Sequence, residues 1–162
     1  MAEPTVKTIR LRVNGTTRTV HAEPRALLSD VLREEGAHGV HVGCEHGVCG
    51  ACTVLMDGEP VRSCLMFAVQ AEGHEITTVD ALGTTDRLDP IQEAFWDEHG
   101  FQCGFCTPGM VLTAKALLDR VPDPDEETIR AALSGNLCRC TGYQDIVESV
   151  QRAAKLRRAG PR

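Results

Sequence analysis

No stretch of this chain approaches the about 20 consecutive apolar residues that a membrane-spanning helix needs, and residues 1–10 carry no apolar export segment. There are 17 Lys and Arg against 23 Asp and Glu, a formal charge of −6, with no basic stripe to attract a phosphate backbone. Nucleic acid is not an expected partner. Neither a G-x-G-x-x-G nor a P-loop occurs, so the chain shows no nucleotide site of its own. Trp96 is the only tryptophan, and beside Phe95 it is expected in core or interface packing. What remains, at 42% hydrophobic and 25% charged, is an ordinary globule of one domain or two small ones. It carries 8 cysteines in 162 residues.

The cysteines fall into two sets of four. Cys44, Cys49, Cys52 and Cys64 read C-x4-C-x2-C with the fourth after eleven residues, the plant-type ferredoxin spacing for a [2Fe-2S] cluster. Cys103, Cys106, Cys138 and Cys140 form a C-x2-C and a distant C-x-C. Two complete thiolate quartets with none to spare point to a protein that passes electrons. Thiols in this number, with no export segment, predict a reducing cytoplasm and metal ligation rather than disulfides. Cys138 and Cys140 are also too close to bridge comfortably. Structural zinc stays open for the second set, because paired short spacings can make a tetrahedral all-thiolate site. It fits the first set poorly, since zinc sites seldom place C-x4-C-x2-C on one loop.

Local patterning frames both sets. Lys7 to Val13 alternates, Asn14-Gly15 is a hairpin turn, and Thr16 to Val20 returns as the partner strand. Pro24 then opens a helical pattern through Leu27, Leu28, Val31 and Leu32, closed by Gly36. Hairpin then helix is how a β-grasp fold begins. Thr53 to Met56 and Val61 to Cys64 read as two strands around Asp57-Gly58-Glu59-Pro60, a register that sets Thr53 opposite Cys64. Glu75 to Val79 supplies a last strand. Gly43, Gly47 and Gly50 let the cysteine loop turn its N–H groups toward anionic sulfurs. His38, His41 and His46 lie near this loop, where four thiolates leave them as surface or hydrogen-bonding residues.

Past a linker at 83–86 the pattern turns helical. Asp89-Pro90 opens a helix to about His99, Thr107-Pro108 a second to about Asp119, and Asp123-Pro124 a third that stops at Gly135. A fourth follows Cys140 and buries Ile146, Val147 and Val150. Each cysteine pair thus precedes a helix whose N-terminus directs positive charge toward it. The expectation is an α+β chain: a β-grasp, plant-type ferredoxin domain over residues 1–80, then a four-helix-bundle [2Fe-2S] domain over residues 86–162.

Four ordered motifs carry a family resemblance: Gly43-Cys44-Glu45-His46-Gly47-Val48-Cys49-Gly50-Ala51-Cys52, Ser63-Cys64-Leu65, Gln102-Cys103-Gly104-Phe105-Cys106-Thr107-Pro108-Gly109 and Gly135-Asn136-Leu137-Cys138-Arg139-Cys140-Thr141-Gly142-Tyr143. Over roughly residues 5–154 the chain resembles the small iron–sulfur subunit of the molybdenum hydroxylases, the group of xanthine dehydrogenase, carbon monoxide dehydrogenase and aldehyde oxidoreductase. That resemblance implies an oxidoreductase component that relays electrons from a molybdopterin centre through two [2Fe-2S] clusters to FAD or another acceptor. It implies a large molybdopterin-binding subunit, with the cofactor in its dinucleotide form, a medium FAD-binding subunit, and a dimer of heterotrimers. It places Gln102 and Cys140 against the pterin and the loop from Cys44 to Cys49 toward the flavin. Glu45 and His46 depart from the more Gly-rich version of that loop. The competing reading is a free-standing ferredoxin-like carrier with a metal-stabilised helical appendage, which needs neither the second quartet nor the Gln102-Cys103 pair.

Overall fold

A computed structural model describes residues 5–160. Strands β1 (Lys7–Val13) and β2 (Thr16–Ala22) pair antiparallel around Asn14 and Gly15, whose φ values of +53° and +76° suit a two-residue turn. Helix α1 (Leu28–Glu34) begins four residues after Pro24. The delay has a backbone cause: Leu28 N–H donates to the Met66 carbonyl and Ala68 N–H to the Ala26 carbonyl, both at 2.8 Å, so residues 26–28 are first used as a ladder.

Strands β3 (Thr53–Met56) and β4 (Glu59–Arg62) pair with Met56 opposite Glu59 and Thr53 opposite Arg62. The expected register, with Thr53 opposite Cys64, is therefore wrong by two residues. Asp57 and Gly58 alone make the turn, both at positive φ, +51° and +88°, where a four-residue turn was expected. Pro60 is tolerated because β4 is an edge strand. Cys64 instead follows in a 3-10 turn, Ser63–Leu65, held when Ser63 Oγ donates to the Cys52 carbonyl at 2.7 Å. Strand β5 (Glu75–Thr77) completes a five-stranded sheet of order β2-β1-β5-β3-β4, parallel to β1 and antiparallel to β3. Helix α1 buries Leu28, Val31 and Leu32 against Ile9, Leu11, Val54 and Ile76 of the sheet.

Four helices follow: α2 (Pro90–Asp97), α3 (Thr107–Arg120), α4 (Glu126–Leu133) and α5 (Gln144–Ala159). They enclose a second core that includes Phe95, Met110, Ile129, Ile146 and Val150. The start of α4 lies two residues later than expected. Asp125 is its cap, accepting from Thr128 N–H at 2.8 Å, while Asp123 pairs with Arg158 at 2.5 Å. Trp96 does not join the core: it is 66% exposed, because Ile91, Ala94 and Phe95 define the inward face of α2 and the next residue turns away. A small third cluster, Leu55 of β3 with Leu112 and Ala116 of α3, fixes the sheet to the helices. Among the described residues, no helix is long and apolar enough to cross a membrane.

Candidate metal centres

All eight cysteines are free thiols, and the fold gathers them into two sites of four. Within each site they stand in pairs. In the first, Cys44 and Cys49 are hydrogen-bonded neighbours, as are Cys52 and Cys64. The pairs are made by folding rather than by spacing, since eleven residues separate Cys52 from Cys64. In the second, Cys140 Sγ lies 3.5 Å from Cys103 Sγ, and Cys106 neighbours Cys138. The C-x2-C pair is thus split, each member meeting one member of the C-x-C pair.

Electrostatics differ within each pair. Cys44 Sγ accepts from the His46 and Cys49 N–H groups at 3.4 Å each, and the Cys49 N–H first, then that of His46, lowers its thiol to about 6. Cys49 is raised, chiefly by burial. Cys64 is pushed up to about 11 by burial and then by the neighbouring Cys52 thiol. Cys103 is lowered by the Phe105 N–H and then by Cys140, which is itself raised by Cys103. Burial, then the Cys138 thiol, pushes Cys106 up to about 12. Cys138 feels burial most, yet its thiol is lowered on balance by the Thr141 hydroxyl at 3.3 Å and by backbone N–H groups.

This donor set fits a binuclear iron–sulfur core. Such a core takes four thiolates as two on each iron, and two pairs of thiols per site match that division. N–H and hydroxyl donors already point at Cys44, Cys103 and Cys138, as anionic sulfurs require. Among the described residues the buried Thr107 hydroxyl, next to Cys106, has no hydrogen-bond partner, which suits a donor to a nearby sulfur. Helix α3 begins directly after Cys106, adding its N-terminal dipole. Among the described residues no three His, Cys, Asp or Glu side chains converge as one ion requires. A mononuclear tetrahedral zinc site would need four sulfurs about 2.3 Å from one point.

Each site has a closed side and an open side. Cys52, Cys64 and Cys106 are buried, whereas Cys103 and Cys140 are exposed beside Gln102, which is also exposed. Val48 and Leu65 stand out from the first loop at 61% and 60% exposure. The two sites touch. Leu137 N–H donates to the Cys49 carbonyl at 2.8 Å, and Gly109 lies so close that a Cβ there would sit 2.2 Å from the Gly50 carbonyl oxygen. His41 stacks on Phe105, ring centroids 5.1 Å apart, with Nδ1 2.8 Å from the Phe105 carbonyl oxygen.

Sequence reasoning grouped the eight thiols but missed the residues that hold the groups together. Asn136, 2% exposed, reaches the Gly50 carbonyl at 3.3 Å. Tyr143 adopts φ +72° and accepts from the Cys138 N–H at 2.9 Å through its hydroxyl. The signal was their place in the last motif, Asn136 between Gly135 and the ligands and Tyr143 directly after Gly142.

Comparison with known proteins follows the same division. Residues 11–80 match the family described as a 2Fe-2S iron-sulfur cluster binding domain, and residues 78–151 the [2Fe-2S] binding domain family. The chain is 52% identical over 147 residues to the caffeine dehydrogenase subunit gamma of Pseudomonas sp. (strain CBB1), covering 88% of each protein. It is 54% identical over 143 residues to the nicotine 6-hydroxylase small subunit of Paenarthrobacter nicotinovorans, covering 88% of this chain and 86% of that one. Quinoline 2-oxidoreductase from Pseudomonas putida 86 has a chain that superposes with a TM-score of 0.91 at 46% identity, over 96% of this chain and 98% of that one.

Proposed function

The chain belongs to the small iron–sulfur subunits of the molybdenum hydroxylases, and from that premise we propose that it is the electron-transfer subunit of one such enzyme, holding two [2Fe-2S] clusters. The observation that carries this reading is the sorting of eight free thiols into four neighbouring pairs, two pairs per site. Cys44, Cys49, Cys52 and Cys64 would hold one cluster in a β-grasp, ferredoxin-type domain of residues 1–80. Cys103, Cys106, Cys138 and Cys140 would hold the other in the helical bundle of residues 86–162. When bound, a [2Fe-2S] cluster takes up and releases single electrons.

The chain's own contribution is placement. Exposed Gln102, Cys103 and Cys140 form an edge offered to the pterin of a large subunit, where Gln102 supplies both a donor and an acceptor. The exposed Val48 and Leu65 flank the other loop, toward an FAD-binding medium subunit. The Leu137-to-Cys49 hydrogen bond is a short backbone link between the two ligand-bearing segments. Caffeine, nicotine and quinoline, named in the relatives, are all N-heterocycles, and we assign the parent enzyme of this chain to that substrate class. The assembly would be a dimer of heterotrimers, with molybdopterin in its dinucleotide form on the large subunit.

Isolation of the native complex tests the reading. The chain should co-purify with a molybdopterin-containing subunit, and an N-heterocyclic substrate added anaerobically should reduce its clusters and so bring up two paramagnetic iron–sulfur signals. A chain that purifies alone and is reduced only by small electron donors would instead be a free-standing carrier.

A further inference from the structure

One cationic side chain fastens the two cysteine loops to each other. Arg62 ends β4 two residues before Cys64 and is half-buried. Its Nη1 donates to Thr53 Oγ1 at 2.5 Å, and its Nη2 donates to the Gly135 carbonyl at 2.6 Å and to Asn136 Oδ1 at 3.2 Å. Both targets lead on to the same place. Thr53, next to Cys52, donates its hydroxyl to the Gly50 carbonyl at 2.6 Å, and Asn136, two residues before Cys138, donates its Nδ2 to that carbonyl at 3.3 Å. Thr113 of α3 donates to Asn136 Oδ1 at 3.2 Å, which locks the amide's orientation. The guanidinium fork therefore spans segments more than seventy residues apart in sequence.

The network is all neutral acceptors around one full positive charge. Among the described residues, no carboxylate forms an ion pair with Arg62, whereas Arg12, Arg18, Arg120, Arg130, Arg157 and Arg158 each have one. A surface arginine gains little from such a position, and its field would be cancelled by a paired acid. Here the charge has no paired acid, is part-shielded from water, and is held between the loop that carries Cys44, Cys49 and Cys52 and the segment that leads into Cys138 and Cys140. Net charge close to an iron–sulfur centre is one of the determinants of its reduction potential. Fork geometry is a separate property that lysine cannot reproduce.

We propose that Arg62 is a positioning residue with two effects: its fork fixes the separation of the two cluster loops, and its unpaired charge favours the reduced, more negative form of both clusters. Charge and fork are separable by substitution, so the two effects predict different responses. The proposal rests on the two-cluster reading above.

The test is a potentiometric titration of both paramagnetic signals in the full-length holoprotein, after iron and sulfide have been counted in the same sample. In Arg62→Gln both midpoint potentials should move to more negative values, and the magnetic interaction between the two reduced centres should change. In Arg62→Lys the potentials should stay near those of the parent protein while that interaction changes and the Leu137 amide loses exchange protection. Full iron with unmoved potentials in Arg62→Gln overturns the charge assignment. If Arg62→Gln fails to load, Arg62→Lys decides: full iron with unaltered coupling and Leu137 protection overturns the fork. A parent protein well short of about four irons would bring down the cluster reading itself, and the proposal with it.

Discussion

Asp57 ties the β3–β4 turn to β5 from a left-handed backbone position, φ +51°. Its Oδ2 lies 2.5 Å from His74 Nδ1, and its Oδ1 accepts from the Glu75 N–H at 2.9 Å. These contacts, His74 first, hold the carboxyl below its ordinary value of 3.8. A depressed native pKa means stabilisation that is fully present above the unfolded value and lost as pH falls through the native one. Protection of the Glu75 amide should therefore hold at about pH 4 and above and fall as pH drops below it. The effect is local, because the pair is on the surface and screened. Asp57→Asn should remove the acid dependence; an unchanged fall in that variant would place its origin elsewhere.

At the scale of elements, the helices follow their local signals closely. Asp89 caps α2 by accepting from the Ile91 N–H at 2.8 Å, Gln92 returns a bond to the Asp89 N–H at 3.1 Å, and Pro90 takes the first helical position. Asp89→Ala should cost about 1 kcal/mol, seen as a drop of about 2–4 °C in Tm. A drop much larger would mean that the cap also holds the linker at residues 83–88. Where the signal was local, it was legible: Asn14-Gly15, Asp89-Pro90 and Thr107-Pro108 sit where the elements turn or begin. Where placement depends on distant chain, it was not. The start of α1 is set by pairing with residues 66–68, and the β3–β4 register by whether two or four residues turn, a choice that Asp57-Gly58-Glu59-Pro60, all turn-compatible, leaves open. The 3-10 turns at 63–65, 68–71 and 79–81 have no periodicity to read.

For the whole molecule, the spacing of cysteines showed which thiols belong to which site, while their pairing and the contact between sites come only from the fold. Gly50, Asn136 and Arg62 meet across the chain, and nothing local marks Arg62 in particular. The open edge at Gln102, Cys103 and Cys140 carries the next expectation. Gln102→Leu removes no iron ligand, so both centres should form, but a pterin group left unpaired should weaken assembly by about 1–3 kcal/mol or slow reduction of the helical-domain centre by substrate. Assembly and single-turnover reduction equal to those of the parent enzyme would move the contact elsewhere on the bundle. The central claim, two binuclear centres in one chain, has a direct measure: iron, acid-labile sulfide and zinc counted on anaerobically purified protein, with the paramagnetic spins of the reduced form integrated on the same sample. The account predicts about four iron, about four sulfide and two distinguishable signals of one spin each. Half that iron with zinc making up the difference, and a single signal, would contradict it.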